Sequence, residues 1–227
     1  VLETLKAGDL EACARHVAWM LETTKGYAIK IVNPGGLESW GFGGNVHCIH
    51  DVVPHFGLTP REIICGLAKV NELLNLPHTI HLHTNNLGTP GNVDCTLCTM
   101  RALESVAAGG KPVAHITHLQ FSSFAGDDWG SFRSGAEKIA NYINAHDHIT
   151  FDMGQIVFSD TTTMTADGPF EHTLYKLGGN KWVNSDVETE TSGGITPFHY
   201  KRNNPVNAIQ WSIGLELALL VKDPWKM

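Results

Sequence analysis

Three side chains near the ends of successive apolar runs carry most of the chemistry this chain could do. Lys30 lies within Ala28-Ile29-Lys30-Ile31-Val32. In an extended segment, alternation puts Ile29 and Ile31 on one face and Lys30 on the other. If the isoleucines face helices, Lys30 points into an enclosed interior. An unpaired ammonium is costly there, so the amine loses its proton or acquires a partner. A neutral amine can take up carbon dioxide, and the resulting carbamate is an anion able to bridge two metals. The same lysine equally suits pairing with a carboxylate, or a strand end that reaches solvent. His81-Leu82-His83 places both imidazoles on one strand face. His83 is nearer the C-terminal end and is the stronger ligand candidate, with His81 read as a hydrogen-bonded core residue. His115-Ile116-Thr117-His118 supplies the third position. The parities of its histidines differ, so one of them is expected to point cleanly inward. His118 is nearer the expected mouth, and His115 is the lesser candidate. Any one histidine says little in a chain that has 13. A lysine and two histidines ending successive strands say more, because two metals held there can share a hydroxide and polarise a carbonyl.

Other polar residues are ambiguous. Asn85 and Asn86 follow the second run directly, where their amides suit either substrate orientation or a turn. Asp152 suits a metal ligand, a base, a cap or an internal hydrogen bond, and Gln120 and Gln155 are open in the same way. The tryptophans and Phe198-His199-Tyr200 read as core or interface. Cys95-x-x-Cys98 lacks a second pair or a redox setting and reads as helix.

The elements that must position these residues alternate. Strands are expected at 27–32, 79–83, 112–118 and 148–153. Thr59-Pro60-Arg61-Glu62 predicts a capping box with proline at the first helical position. Ile63, Ile64, Leu67, Val70 and Leu74 then follow at helical spacing. Asp94 is expected to cap a second helix carrying Leu97, Met100, Leu103 and Ala107, stopped by Gly109-Gly110. Ser134-x-x-Glu137 predicts another capping box, with Ile139 and Ile143 buried. Asn204-Pro205 opens a last helix with a stripe of Ile209, Ile213, Leu217 and Leu220. Strand and helix in strict alternation imply parallel βαβ units. A Gly-x-Gly-x-x-Gly turn that would favour a dinucleotide-binding sheet is missing after the first strand. Polar residues at strand ends favour a TIM-type (β/α)8 barrel, incomplete here, with about strands 4 to 7. Residues 1–227 are read as part of one such domain, with an irregular insertion at about 154–203.

The bulk numbers agree with a globular enzyme. Of 227 residues, 42% are hydrophobic and 17% charged, which excludes a disordered chain. A net charge of −7 argues against a nucleic-acid partner. No apolar run is long enough to span a membrane. Five cysteines in a low-charge chain suit reduced thiols in the cytoplasm. The start at Val1 and the stop at Met227 read as cut ends.

The order Lys, His, His at successive strand ends is similar to strands four to six of the binuclear amidohydrolases. Several longer strings resemble, within that superfamily, the A subunits of formylmethanofuran dehydrogenases. They are Tyr-Ala-Ile-Lys-Ile-Val-Asn-Pro-Gly-Gly (27–36), Leu-His-Thr-Asn-Asn-Leu-Gly-Thr-Pro-Gly-Asn (82–92) and His-Ile-Thr-His-Leu-Gln-Phe (115–121). Thr-Met-Thr-Ala-Asp-Gly-Pro-Phe-Glu (163–171) and Asn-Ala-Ile-Gln-Trp-Ser-Ile-Gly-Leu-Glu-Leu (207–217) complete the set. The resemblance implies two zinc-like divalent ions bridged by a carbon dioxide-derived carbamate on Lys30. His83 and His118 are the implied ligands, with His115 the lesser choice for the sixth strand. The family's first-strand His-x-His would precede Val1, and its proton-transfer aspartate would lie just beyond Met227. The isolated chain is then expected to be inactive for want of full ligand sets. The implied reaction is reversible hydrolysis of an N-formyl amide, joining formate to methanofuran in one-carbon metabolism and methanogenesis. Molybdenum or tungsten pterin and iron-sulfur clusters belong to partner subunits, which perform the redox step. The long segment after Met153 looks closer to the archaeal, methanogen type than to the methylotroph version.

Overall fold

The computed structural model describes every residue except 41, 43, 108–109, 155–160, 165–174, 183–196 and 201–204. Strands β1 (Lys30–Val32), β2 (Ile80–His83) and β3 (Ala114–Ile116) are followed by a short antiparallel ribbon, β4 (Phe124–Ala125) and β5 (Arg133–Ser134), and then by β6 (Ile149–Phe151). β1, β2, β3 and β6 form a four-stranded parallel sheet in that order. Helices α1 (Leu2–Lys6), α2 (Leu10–Thr24) and α3 (Gly36–Trp40) lie early in the chain. α4 (Pro60–Leu73), α5 (Asn92–Leu103) and α6 (Ala136–Ala145) fill the three crossovers, and α7 (Pro205–Leu220) follows later. Neighbouring helices pack side by side: α2 on α4, α4 on α5, α5 on α6, and α6 on α7. A doubly wound sheet would reverse its strand order and split its helices between two faces. Sequential order with one helical layer is instead an arc of a (β/α)8 barrel, and the arc is not closed.

The sheet positions its side chains by simple alternation. Ile31, Leu82, Ile116 and Phe151 stand opposite one another in register and are all buried towards the helices. They meet Ile63, Ile64, Met100, Leu103, Ile139 and Ile143. Each such side chain taken from water contributes about 1.5–3 kcal/mol.

The capping box at Thr59 forms as expected. Thr59 Oγ1 accepts from the Glu62 amide at 3.2 Å, and the Glu62 carboxylate accepts from the Thr59 amide at 2.7 Å. The other two caps differ. α5 begins at Asn92 behind Gly91, whose φ of +89° suits glycine, and Asp94 lies inside the first turn, paired with Lys138. α6 begins behind Gly135; the Ser134 hydroxyl donates to the Glu216 carboxylate of α7 while its oxygen accepts from the Ala136 amide at 3.2 Å, without a capping box to Glu137. On α7, Ile213 and Leu217 are buried as expected, but Leu220 is exposed, and Val221, just past the helix end, is the next buried residue. α5 ends at Leu103, short of the expected stop at Gly109, which lies outside the described residues. The stretch read as irregular holds an antiparallel pair, β7 (Thr161–Met164) with β8 (Pro197–Tyr200). Among the described residues no helix is long and apolar enough to cross a membrane.

Candidate metal centre

The face of the sheet opposite the helices is polar. Lys30 pairs with His81, His81 with His115, and His115 with Thr150, so these four form one row across all four strands. His83 stands one row nearer the C-terminal strand ends, opposite Val32. His118 and Asp152 lie just beyond the ends of β3 and β6. This is where barrel enzymes gather functional side chains.

Of the settings open to Lys30, the solvent-reaching one is found here. It is exposed, because this face of an unclosed arc is uncovered, and its Nζ donates to Thr117 Oγ1 at 2.5 Å. His83 is half-buried, and no hydrogen bond holds its ring among the described residues. Desolvation, reinforced by the nearby Lys30 and His118, lowers its pKa to about 3. A neutral imidazole is the form that ligates a metal. The rings of His83 and His118 lie 5.4 Å apart, centre to centre. His81 is also held towards the neutral form, first by burial and then by His115 and Lys30, with its ring 4.8 Å from that of His115.

At the third position the expected choice between His115 and His118 does not arise, for a physical reason. β3 stops at Ile116, so strict alternation no longer governs His118, and both histidines reach the same carboxylate. His118 Nδ1 lies 2.7 Å from Asp152 Oδ1, and His115 Nε2 lies 3.3 Å from Asp152 Oδ2. The other nitrogen of His115 meets Thr150 Oγ1 at 2.9 Å. Of the roles open to Asp152, the internal hydrogen bond is the one formed.

Asn85 and Asn86 are occupied in holding loops together. The Asn85 amide donates to Asn33 Oδ1 at 3.0 Å and to the Pro34 carbonyl at 2.8 Å. The Asn86 amide donates to the His47 carbonyl at 2.6 Å, and its Oδ1 meets His47 Nδ1 at 3.0 Å. Asn86 takes a φ of +60°, which asparagine tolerates better than most residues. The loop after β2 is thus stitched to the loop after β1 through both amides. Asn92 extends the stitching: its amide donates to the carbonyls of Asn86 and Phe121, and its oxygen accepts from the Phe124 amide. Asn33, His47 and Asn92 carried no sequence signal, because loop-to-loop amide bonds have no period.

Gln120 clamps Gly154, donating to its carbonyl at 2.5 Å and accepting from its amide at 3.0 Å. Gln155 lies outside the described residues, as do the side chains of Phe198-His199-Tyr200. Cys95 and Cys98 lie on α5 as free thiols, and burial pushes the Cys95 thiol up to about 12.

Among the described residues, no three His, Cys, Asp or Glu side chains are gathered as a ready-made metal cage. The donor types on the polar face nevertheless fit part of one. Among the described residues, His83 is a desolvated imidazole held towards its neutral form without a hydrogen-bond partner, the second nitrogen of His118 is uncommitted, and Lys30 shares their face.

Comparison with known proteins follows the same line. The family model described as "Amidohydrolase family" matches residues 1–226. Protein FwdA of Methanocaldococcus jannaschii is 55% identical over 224 residues, covering 96% of this chain and 40% of that protein. The A subunit of the formyltransferase/hydrolase complex Fhc of Methylorubrum extorquens is 35% identical, covering 99% of this chain and 41% of that protein. The crystal structure of the FhcABCD complex from M. extorquens with methylofuran superposes with a TM-score of 0.80 at 33% identity. That match covers 100% of this chain and 41% of the other. The chain therefore spans about two fifths of the length of the curated relatives it matches.

Proposed function

Because the chain belongs to the amidohydrolase family, we propose that its polar sheet face is one part of a binuclear metal centre that makes and breaks an N-formyl amide. The observation that carries this reading is that Lys30, His83 and His118 share one face of the sheet, with Lys30 at the start of β1, His83 and His118 nearer the C-terminal strand ends, and His83 held neutral. The name of the Methylorubrum relative, a formyltransferase/hydrolase subunit, and the crystallised complex with methylofuran support the choice of substrate class. Lys30 as its carbamate, together with His83 and His118, would hold two zinc-like ions, His83 and His118 each through an imidazole. When bound, the metals supply Lewis acidity and a hydroxide at neutral pH.

The chain's own residues perform the remaining tasks. His83 stays unprotonated across the physiological range, so its lone pair is not lost to a proton. Thr117 holds the Lys30 amine by its hydroxyl and fixes where that nitrogen sits. The Asn33, Asn85, Asn86 and His47 stitching keeps the loops above β1 and β2 in place around the mouth. The net reaction is N-formylmethanofuran plus water giving formate and the free primary amine, and it is reversible. The full protein works as the amidohydrolase component beside partners that carry pterin-bound molybdenum or tungsten and iron-sulfur clusters. Those partners interconvert carbon dioxide and formate. The higher identity to the Methanocaldococcus protein than to the Methylorubrum one favours the methanogen-type complex.

The test compares substrates on the full-length protein in its complex. Formyl release from N-formylmethanofuran should exceed turnover of hydantoins and N-acyl amino acids. The reverse preference would point to another cyclic amidase or deacylase. Lys30→Ala should abolish formyl turnover, whereas unchanged turnover would leave the chain a scaffold.

A further inference from the structure

The segment that follows β6 is built around one ring. Asp152 is bound by backbone to both sides of the Thr117-His118 turn. Its amide donates to the Ile116 carbonyl at 3.3 Å, and its carbonyl accepts from the Leu119 amide at 2.9 Å. Its side chain then meets His118 Nδ1 at 2.7 Å. Two residues on, Gly154 lies so close that an added Cβ would stand 3.1 Å from both Cβ and Cγ of His118 and 2.7 Å from the Phe121 ring. Phe121 packs edge-on to His118, and Gln120 clamps Gly154 through both its amide and its carbonyl. Carboxylate, glycine and phenyl ring together form a socket that leaves His118 little rotational freedom.

Donor arithmetic fixes the tautomers. An ionised carboxylate only accepts, so each imidazole nitrogen facing Asp152 must carry the hydrogen. His118 is then protonated at Nδ1 and bare at Nε2. His115, protonated at Nε2, accepts the Thr150 hydroxyl at Nδ1. Thr150 and His115 thereby hold the second carboxylate oxygen, and the first is left for His118.

We propose that Asp152 is a positioning residue for His118, fixing its ring and tautomer so that Nε2 is presented to a metal ion. This rests on the metal-centre reading above. A carboxylate behind a ligating histidine sets ring orientation and basicity, and its loss typically costs ~10–100-fold in metal affinity. It assigns to Asp152 neither a ligand bond nor a proton-transfer step.

The experiment measures Zn(II) affinity of the metal-stripped full-length protein by chelator competition, with three proteins side by side. Asp152→Ala should weaken binding by ~10–100-fold. Asp152→Asn should stay within a few-fold of wild type, because its amide oxygen still accepts from His118 Nδ1–H. Unchanged affinity in Asp152→Ala overturns the proposal. Equal loss in Asp152→Asn and Asp152→Ala also overturns it, since a direct ligand or a required charge behaves that way. A wild-type protein that binds no Zn(II) removes the metal reading and this inference with it, an outcome distinct from the other two. Nitrogen-15 NMR of the metal-free wild-type protein gives a reading independent of any variant's folding. His118 should be hydrogen-bearing at Nδ1, and a bare Nδ1 contradicts the assignment.

Discussion

The two faces of the four-stranded sheet share a backbone and differ by one residue of offset. Towards the helices stand Ile31, Leu82, Ile116 and Phe151, all buried and all apolar. Towards the other side stand Lys30, His81, His83, His115 and Thr150, half-buried or exposed and polar, with Val32 the apolar residue among them. The first face holds the arc together by excluding water. The second contributes little to that and presents nitrogen and oxygen donors instead. Stability and chemistry are thus separated by strand parity alone, so substitutions at neighbouring positions should have opposite signatures.

Leu82 and His83 test that separation most sharply. Leu82→Ala should lower the unfolding free energy of the full-length protein by about 2–5 kcal/mol, measured in urea, because a fully buried side chain leaves a cavity. His83→Ala should cost about 1 kcal/mol or less while removing bound metal. If His83→Ala destabilises as much as Leu82→Ala, the two faces are not separable in this way. Next in size is Lys226, which lies at the other end of the sheet and serves neither face. Its buried ammonium donates to the Ile143 and His146 carbonyls at 2.9 Å each and to Asp147 at 2.7 Å. Lys226→Met leaves those carbonyls unpaired and should cost about 1–3 kcal/mol in the same urea measurement, with metal content unchanged. Thr59→Ala removes the α4 capping box and should cost ~1 kcal/mol, again without touching metal binding.

The smallest effect is on pH dependence. The Lys226 ammonium holds the Asp147 carboxyl below its usual range. A depressed carboxylate adds stability above its unfolded pKa, and that stability is lost as pH falls through the folded value. Melting temperatures of wild type and Asp147→Asn should therefore differ slightly at pH 7 and converge as pH falls below about 4. A gap that does not narrow at all as pH falls from about 5 to about 3 would mean that the Lys226 contact is not electrostatic.

The parity that separates the faces is also what made the fold legible in sequence. Tyr27 to Val32, Thr79 to His83 and the helical spacing after Thr59 specify strand, strand and helix by period alone. The unclosed arc of a (β/α)8 barrel follows from their alternation. The expected positions of Lys30 and His83 rest on the same logic, and both share the polar face. Legibility ends where period ends. His118 lies past the last β3 residue, where parity no longer applies, and its bond to Asp152 was one of several open roles. Asn85 and Asn86 satisfy each other's loops because they face Asn33, Pro34 and His47, residues 39 to 52 positions away. Gly91 displaced the expected Asp94 cap because the chain needs a positive φ there. Each of these outcomes depends on contacts between segments far apart in sequence.

The central claim is that the polar face is part of a binuclear metal centre. Elemental analysis of the purified full-length protein, wild type beside Lys30→Ala and prepared with bicarbonate present, tests it most directly. The account predicts about two zinc-like ions per wild-type chain and loss of bound metal in Lys30→Ala. A wild-type chain with no bound metal, or a Lys30→Ala chain that keeps its full complement, would contradict it.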